Sequence, residues 1–173
     1  MLIQWSAPEY MPRSFLVSGV SDNKKPFKQT GNCLELTKQL ANGFVNMQEL
    51  SKGLFLVQSE MSFNKETELC EEYFERKIFQ LSFCMNGICE WNYREAGVEN
   101  YRLSPTECSL QWGTFSRCVS YFGSKQPYRT LSISLEQERF FPLTEDVEAA
   151  HLLRWDSKIC THVFQTTPEI RLV

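Results

Sequence analysis

Seven cysteines and two histidines are the thiol and imidazole donors from which this 173-residue chain could build a metal or nucleophilic centre. Zinc-type sites are recognised by close thiolate or imidazole pairs, most simply two C-x-x-C steps. No such step occurs: Cys84 and Cys89 stand in a C-x4-C spacing, with Cys108 and Cys118 further along. A metal held inside a β-barrel draws several imidazoles and a carboxylate into one cavity. The stretch 78–135 contains no histidine, and His151 and His162 both lie beyond it. No G-x-S-x-G elbow, Walker loop or G-x-G-x-x-G turn is present either. The expectation is no cofactor, no resident metal and no nucleophile, hence not an enzyme. Glu71, Glu72 and Glu75 fall in a charged stretch that reads most simply as a solvated face.

The aromatic residues are more informative: 13 Phe, 6 Tyr and 4 Trp. Such rings suit strands and also line cavities for flat ligands. Side chains alternate across a strand, so Phe79, Leu81 and Phe83 share one face and Gln80, Ser82 and Cys84 the other. By the same rule Trp91 goes with Tyr93, Leu110 with Trp112, Arg117 with Val119 and Tyr121, and Leu131 with Ile133 and Leu135. With the apolar faces turned inward, the interior collects Trp91, Tyr93, Trp112 and Tyr121. Two roles are open to each, filling the core or contacting a ligand. Arg117 stands on an otherwise apolar face, where a charge is costly unless paired; it sits at a rim or awaits an anion. These five residues are the predicted ligand-binding set.

The elements that must position them are strands. Residues 53–60 read as a buried strand, and 65–77 as a charged, partly solvent-facing segment. Residues 78–84 and 88–94 flank Asn86-Gly87, the strongest short-range hairpin signal. Further strands are expected over 98–103, 108–112, 115–122 and 128–135, separated by Gly-, Pro- and Ser-containing turns. Short strands at this spacing describe a sandwich or barrel. Residues 1–52 form a weakly patterned extension in which 34–40 fits either a short helix or a strand. Beyond Leu135 the pattern turns helical, with one possible turn at 136–141, then candidate helices over 144–154 and 156–166, and a third start at Thr167-Pro168-Glu169. A helix that opens so close to Val173 implies a longer natural polypeptide.

A net charge of −3 with scattered Lys and Arg gives no basic face for nucleic acid. The N-terminus lacks a basic segment followed by an apolar stretch, and no run approaches the roughly 18 apolar residues of a membrane span. The odd cysteine count then reads as reduced thiols packed as small apolar groups, which implies a cytoplasmic location without membrane contact.

The stretch 53–135 resembles the N-terminal effector-binding domain of AraC-type transcriptional regulators. The residues that carry the likeness are Phe79-Gln80-Leu81-Ser82-Phe83-Cys84-Met85-Asn86-Gly87, then Tyr93-Arg94, then Tyr101-Arg102-Leu103-Ser104-Pro105-Thr106-Glu107-Cys108-Ser109-Leu110. The family writes a Leu-x-Pro-Gly-Asp turn where this chain has Thr106-Glu107 in place of Gly-Asp. Within the family the likeness is greatest to the PchR type, which responds to siderophores such as pyochelin. The resemblance implies a mainly β, cupin-like antiparallel β-barrel (double-stranded β-helix) over 53–135, with C-terminal α-helices over 136–173 leading toward a helix-turn-helix domain. It also implies a siderophore-like small-molecule effector inside the barrel and DNA contact only through that further domain; the helices over 144–154 and 156–166 either pack against the barrel or form the surface of a homodimer. In this reading Trp91, Tyr93, Trp112 and Tyr121 stack on the effector and Arg117 meets its carboxylate. Two other readings are open: a cofactor-free cupin isomerase or lyase with Glu90 or Glu107 as general base, and a dimerisation-only module.

Overall fold

The computed structural model describes residues 2–4, 14–17, 27–38, 40–93, 100–136 and 159–166. Twelve strands run through them: β1 (Leu2–Gln4), β2 (Ser14–Val17), β3 (Phe27–Thr30), β4 (Cys33–Leu36), β5 (Ala41–Ser51), β6 (Leu54–Phe63), β7 (Thr67–Asn86), β8 (Cys89–Asn92), β9 (Tyr101–Leu103), β10 (Glu107–Phe122), β11 (Pro127–Glu136) and β12 (Cys160–Gln165). Among the described residues no helix is long and apolar enough to cross a membrane.

All pairing is antiparallel between named strands, along the path β3-β4-β5-β6-β11-β7-β10-β8-β9, with β1-β2 joined to β7 and β12 to β10. Two long strands hold the sheet together. The C-terminal half of β7 pairs with β11 and its N-terminal half with β2. Correspondingly, the first half of β10 pairs with β12 and its last residues with β8. The β7–β10 register shifts between Phe115 and Arg117, a bulge of the kind that bends a strand and re-aims its side chains. Each long strand therefore passes from one layer to the other. The layers face each other over a single core: Phe55, Met61, Phe63 and Cys84 from one side meet Leu69, Trp91, Leu103, Cys118 and Phe122 from the other. The Phe63 and Phe122 rings stack at 4.9 Å within it.

Several expectations change. The path ends at β3 and β9, which do not pair, so the described strands form a folded two-layer sheet without a closed barrel ring. Residues 27–51 supply three strands of this sheet, and of 34–40 the first three residues end β4 while the Leu40 amide donates back to the Thr37 carbonyl. The charged 65–77 stretch is not a separate segment; from Thr67 it continues into 78–86 as one 20-residue strand. The expected break at Gly113-Thr114 is likewise bridged by β10.

Asn86-Gly87 does not close a hairpin. β7 and β8 are not hydrogen-bonded to each other; β8 pairs with β10 and β9. Gly87 does take the left-handed conformation its neighbours announce, φ 77°, but the turn hands the chain from one layer to the other. The candidate helix over 156–166 is also overturned. Cys160–Gln165 is strand β12, in register with Glu107–Trp112 of β10. Thr161, Val163 and Phe164 are β-branched or aromatic and favour a strand once a partner edge is available. The possible turn at 136–141, the helix expected over 144–154 and the start at 167–169 lie outside the described residues, save Glu136, which ends β11.

The turn before β10 shows how β12 stabilises its surroundings. Thr106, where the resembling family has glycine, adopts φ 77°, a conformation that costs an L-residue roughly 1–2 kcal/mol. Its carbonyl accepts from both the Thr166 amide (2.8 Å) and the Thr166 hydroxyl (2.8 Å). Glu107 accepts from the Ser104 amide at 2.7 Å and from Gln165 Nε2 at 3.0 Å. Thr106→Gly should relieve the strain and raise unfolding stability by about 1 kcal/mol, read by urea denaturation. A loss of stability would show that the threonine side chain matters more than its backbone.

Candidate functional site

Cross-strand register fixes which side chains share a face. Cys84, Phe55, Val57 and Tyr128 belong to or pack on the core, so the residues paired on their face also look inward. One row runs Thr161–Gln111–Gln80–Ser134–Phe55 and the next Val163–Ser109–Ser82–Ser132–Val57. Thr130, opposite both Cys84 and Ser59, continues the pattern. The inward floor of the first layer is thus built largely of hydroxyls and amides, and Ser59, Ser82, Ser109, Gln111, Thr130, Ser132 and Ser134 are all buried.

Buried polar groups must be hydrogen-bonded, and most of these are. Ser132 Oγ donates to Ser82 Oγ at 2.8 Å, Ser134 Oγ to Gln80 Oε1 at 3.0 Å, and Gln80 Nε2 to Ser82 Oγ at 3.1 Å. Gln111 Nε2 donates to Ser109 Oγ at 3.4 Å. The opposite layer supplies Tyr93, whose hydroxyl donates to Gln111 Oε1 at 2.8 Å. Trp91 and Tyr93 flank Tyr101, with ring centroids 5.7 and 6.1 Å away.

Two inward groups are left over. Trp91 Nε1 and Thr161 Oγ1 are buried without a close hydrogen-bond partner, as is Trp112 Nε1 on the opposite face. Burial pushes the Tyr93 hydroxyl well above its ordinary pKa; the nearby Cys118 adds to this, hydrogen bonding toward the Trp91 side chain opposes it, Glu71 adds again, and hydrogen bonding toward the Thr161 side chain opposes. Indole, phenol and threonine hydroxyl therefore gather at one spot between the layers. The nearby Cys118 thiol is a poor nucleophile, since burial, with Glu71 adding to it, holds it well above its ordinary pKa. Among the described residues no three His, Cys, Asp or Glu side chains are grouped to hold a metal ion.

The predicted ligand set divides. Trp91 and Tyr93 point inward and are buried. Trp112 is on the opposite face of the first layer, stacked on His162 at 5.2 Å. Arg117 and Tyr121 are on the outward face of the second layer. Arg117 Nε donates to Cys70 Sγ at 3.1 Å. Tyr121, 39% exposed, accepts from Asn92 and lines an open groove of about 530 Å³ with Glu66, Glu68, Glu90 and Arg102. The structure does not bring Trp112, Arg117 and Tyr121 to Trp91 and Tyr93. Alternation had grouped the residues correctly but could not say which face points in, and hydrophobicity gave the wrong answer for 79–83 and 131–135. The bulge after Phe115 then reverses the parity along β10: Ser109 and Gln111 are inward before it, Cys118, Ser120 and Phe122 after it. Of the missed residues, Gln80, Ser82, Ser132 and Ser134 were visible as an alternating polar set. Thr161 had no usable signal, because its strand was read as helix.

Comparison with known structures finds cupin domains at low identity. The cupin domain of an XRE family transcriptional regulator from Enterobacter cloacae is 13% identical, with a TM-score of 0.37, over 53% of this chain and 93% of that one. The Schizosaccharomyces pombe Cnp3 cupin domain is 9% identical, TM-score 0.44, over 73% and 79%. An oxalate decarboxylase variant from Bacillus subtilis is 9% identical, TM-score 0.41, over 98% and 37%. No curated protein matches the chain. Residues 42–173 match the family model described as the regulatory protein PchR N-terminal domain, and the chain belongs to that family.

Proposed function

We propose that this chain is the sensing domain of an AraC-type transcriptional regulator, with a cupin-like frame and a small-molecule effector of the siderophore type held between its two layers. The observation that carries the reading is the inward floor of buried hydroxyls and amides, from Ser59 and Thr130 through Ser132, Ser134 and Ser82 to Ser109 and Gln111. A core whose only task is packing gains nothing from such groups, since each unsatisfied one costs about 1–3 kcal/mol. A ligand that completes them offsets that cost. DNA contact belongs to another part of the polypeptide, consistent with a net charge of −3 here.

Binding without turnover is the preferred chemistry. Glu107, one candidate base, has its two carboxylate oxygens engaged by Ser104 and Gln165. Glu90, the other, is exposed and lines the outer groove. Titration of the purified chain with a panel of ferric siderophores, ferric pyochelin among them, followed by denaturation, tests the reading. An effector at a hundred times its Kd should stabilise the fold by about 2.7 kcal/mol. No change in the unfolding transition with any member would remove the siderophore assignment.

A further inference from the structure

Cross-strand register sets four outward side chains of the second layer in one row. Tyr121 pairs with Glu68 of β7 on one side and Glu90 of β8 on the other, and Arg102 of β9 stands opposite Glu90. The row runs along the groove of about 530 Å³, which Glu66 also lines and to which Ile88, Phe122 and the Tyr121 ring give an apolar floor. Asn92 Nδ2 donates to Tyr121 Oη at 3.2 Å and so holds the ring in place, and the residue is 39% exposed. Three carboxylates against one guanidinium give the walls a negative balance, so a phosphate or a free carboxylate is repelled. Glu68 and Glu90 are two strand spacings apart, about 10 Å. That is too far to share a metal ion, whose oxygen ligands lie within about 2.6 Å.

An apolar trough with carboxylates along its walls fits a side chain that is apolar along its stem and cationic at its tip. Lysine and arginine both bury their methylenes and carry the charge outward. Arginine fits better, because its planar guanidinium stacks on an aromatic face and donates to a carboxylate through two parallel hydrogen bonds. The volume is in the range of sites that enclose a whole ligand, roughly 300–1,000 Å³, and exceeds what a single guanidinium fills. We infer that this groove is a docking surface for an arginine-bearing protein segment, with one guanidinium on the Tyr121 ring between Glu68 and Glu90. Docking here does not depend on what binds between the layers.

The test uses the whole chain labelled with ¹⁵N and three blocked tripeptides, tri-arginine, tri-lysine and tri-glutamate, at low ionic strength. Tri-arginine should shift the amide signals of Glu68, Glu90 and Tyr121, bind more tightly than tri-lysine, and lose affinity as salt is raised. Tri-glutamate should leave those signals in place. Tyr121→Leu should weaken tri-arginine binding about fivefold, and Glu90→Gln about threefold. Glu35→Gln, at an exposed position of β4, should bind as the unaltered chain does. Equal losses in Glu35→Gln and Glu90→Gln would reduce the binding to diffuse attraction and overturn the docking site. Tri-lysine binding as tightly as tri-arginine, or Tyr121→Leu without effect, would overturn the placement on the Tyr121 ring. Groove amides that do not move with tri-arginine would overturn it outright.

Discussion

Gly87→Ala is expected to destabilise the fold by about 3 kcal/mol or more, against about 1 kcal/mol for Gly31→Ala. Both glycines have positive φ, 77° and 58°, so both alanines meet the left-handed penalty. Their surroundings differ. A Cβ on Gly87 would lie 2.3 Å from the Pro127 carbonyl oxygen and 3.0 Å from Tyr128 Cα, whereas one on Gly31 meets nothing within 4 Å. The atoms in the way at Gly87 are backbone of β11, which is held between β6 and β7 and has little freedom to retreat. Chemical denaturation of the two variants separates the terms, since the difference between them isolates the close approach. Equal losses would mean that the corner after β7 does not press against β11.

A second large effect is expected at the hydrogen bond between layers. Tyr93→Phe removes the donor to Gln111 Oε1 and strands a buried amide oxygen, at a cost of about 2 kcal/mol. Tyr93→Phe combined with Gln111→Leu should be less destabilising than the sum of the single changes, because the stranded acceptor disappears with its partner. The coupling should exceed about 1 kcal/mol in a double-mutant cycle read by urea unfolding. Additive losses would show that the two side chains do not meet in solution.

Much of the fold was legible because strand and turn chemistry is local. The apolar run from Leu54 and the alternations around Ile78–Cys84 and Tyr128–Leu135 each marked a real strand. The failures all concern long-range choices. Asn86-Gly87 specifies a reversal of backbone direction, but whether the two flanking strands pair with each other depends on competing edges, and β10 and β11 took them. The inward face of β7 was misjudged because a polar alternation normally marks the solvent side; here Gln80 and Ser82 find partners in Ser134 and Ser132 across the sheet. Trp91 and Tyr93 were correctly paired and sent inward. Trp112 was sent inward because nothing local announced that β12 would lie alongside and present His162 to its ring. Arg117 looked like a charge on a buried face; the bulge just before it turns it outward toward Cys70.

Fluorescence separates an effector bound between the layers from one bound elsewhere. Ferric pyochelin, or whichever siderophore shifts the unfolding transition, should quench the intrinsic emission of the unaltered chain. Most of that change should vanish in Trp91→Phe and persist in Trp112→Phe, because only the first indole looks into the interior. Quenching that survives loss of Trp91 and disappears with Trp112 would put the effector on the outer face and contradict the account.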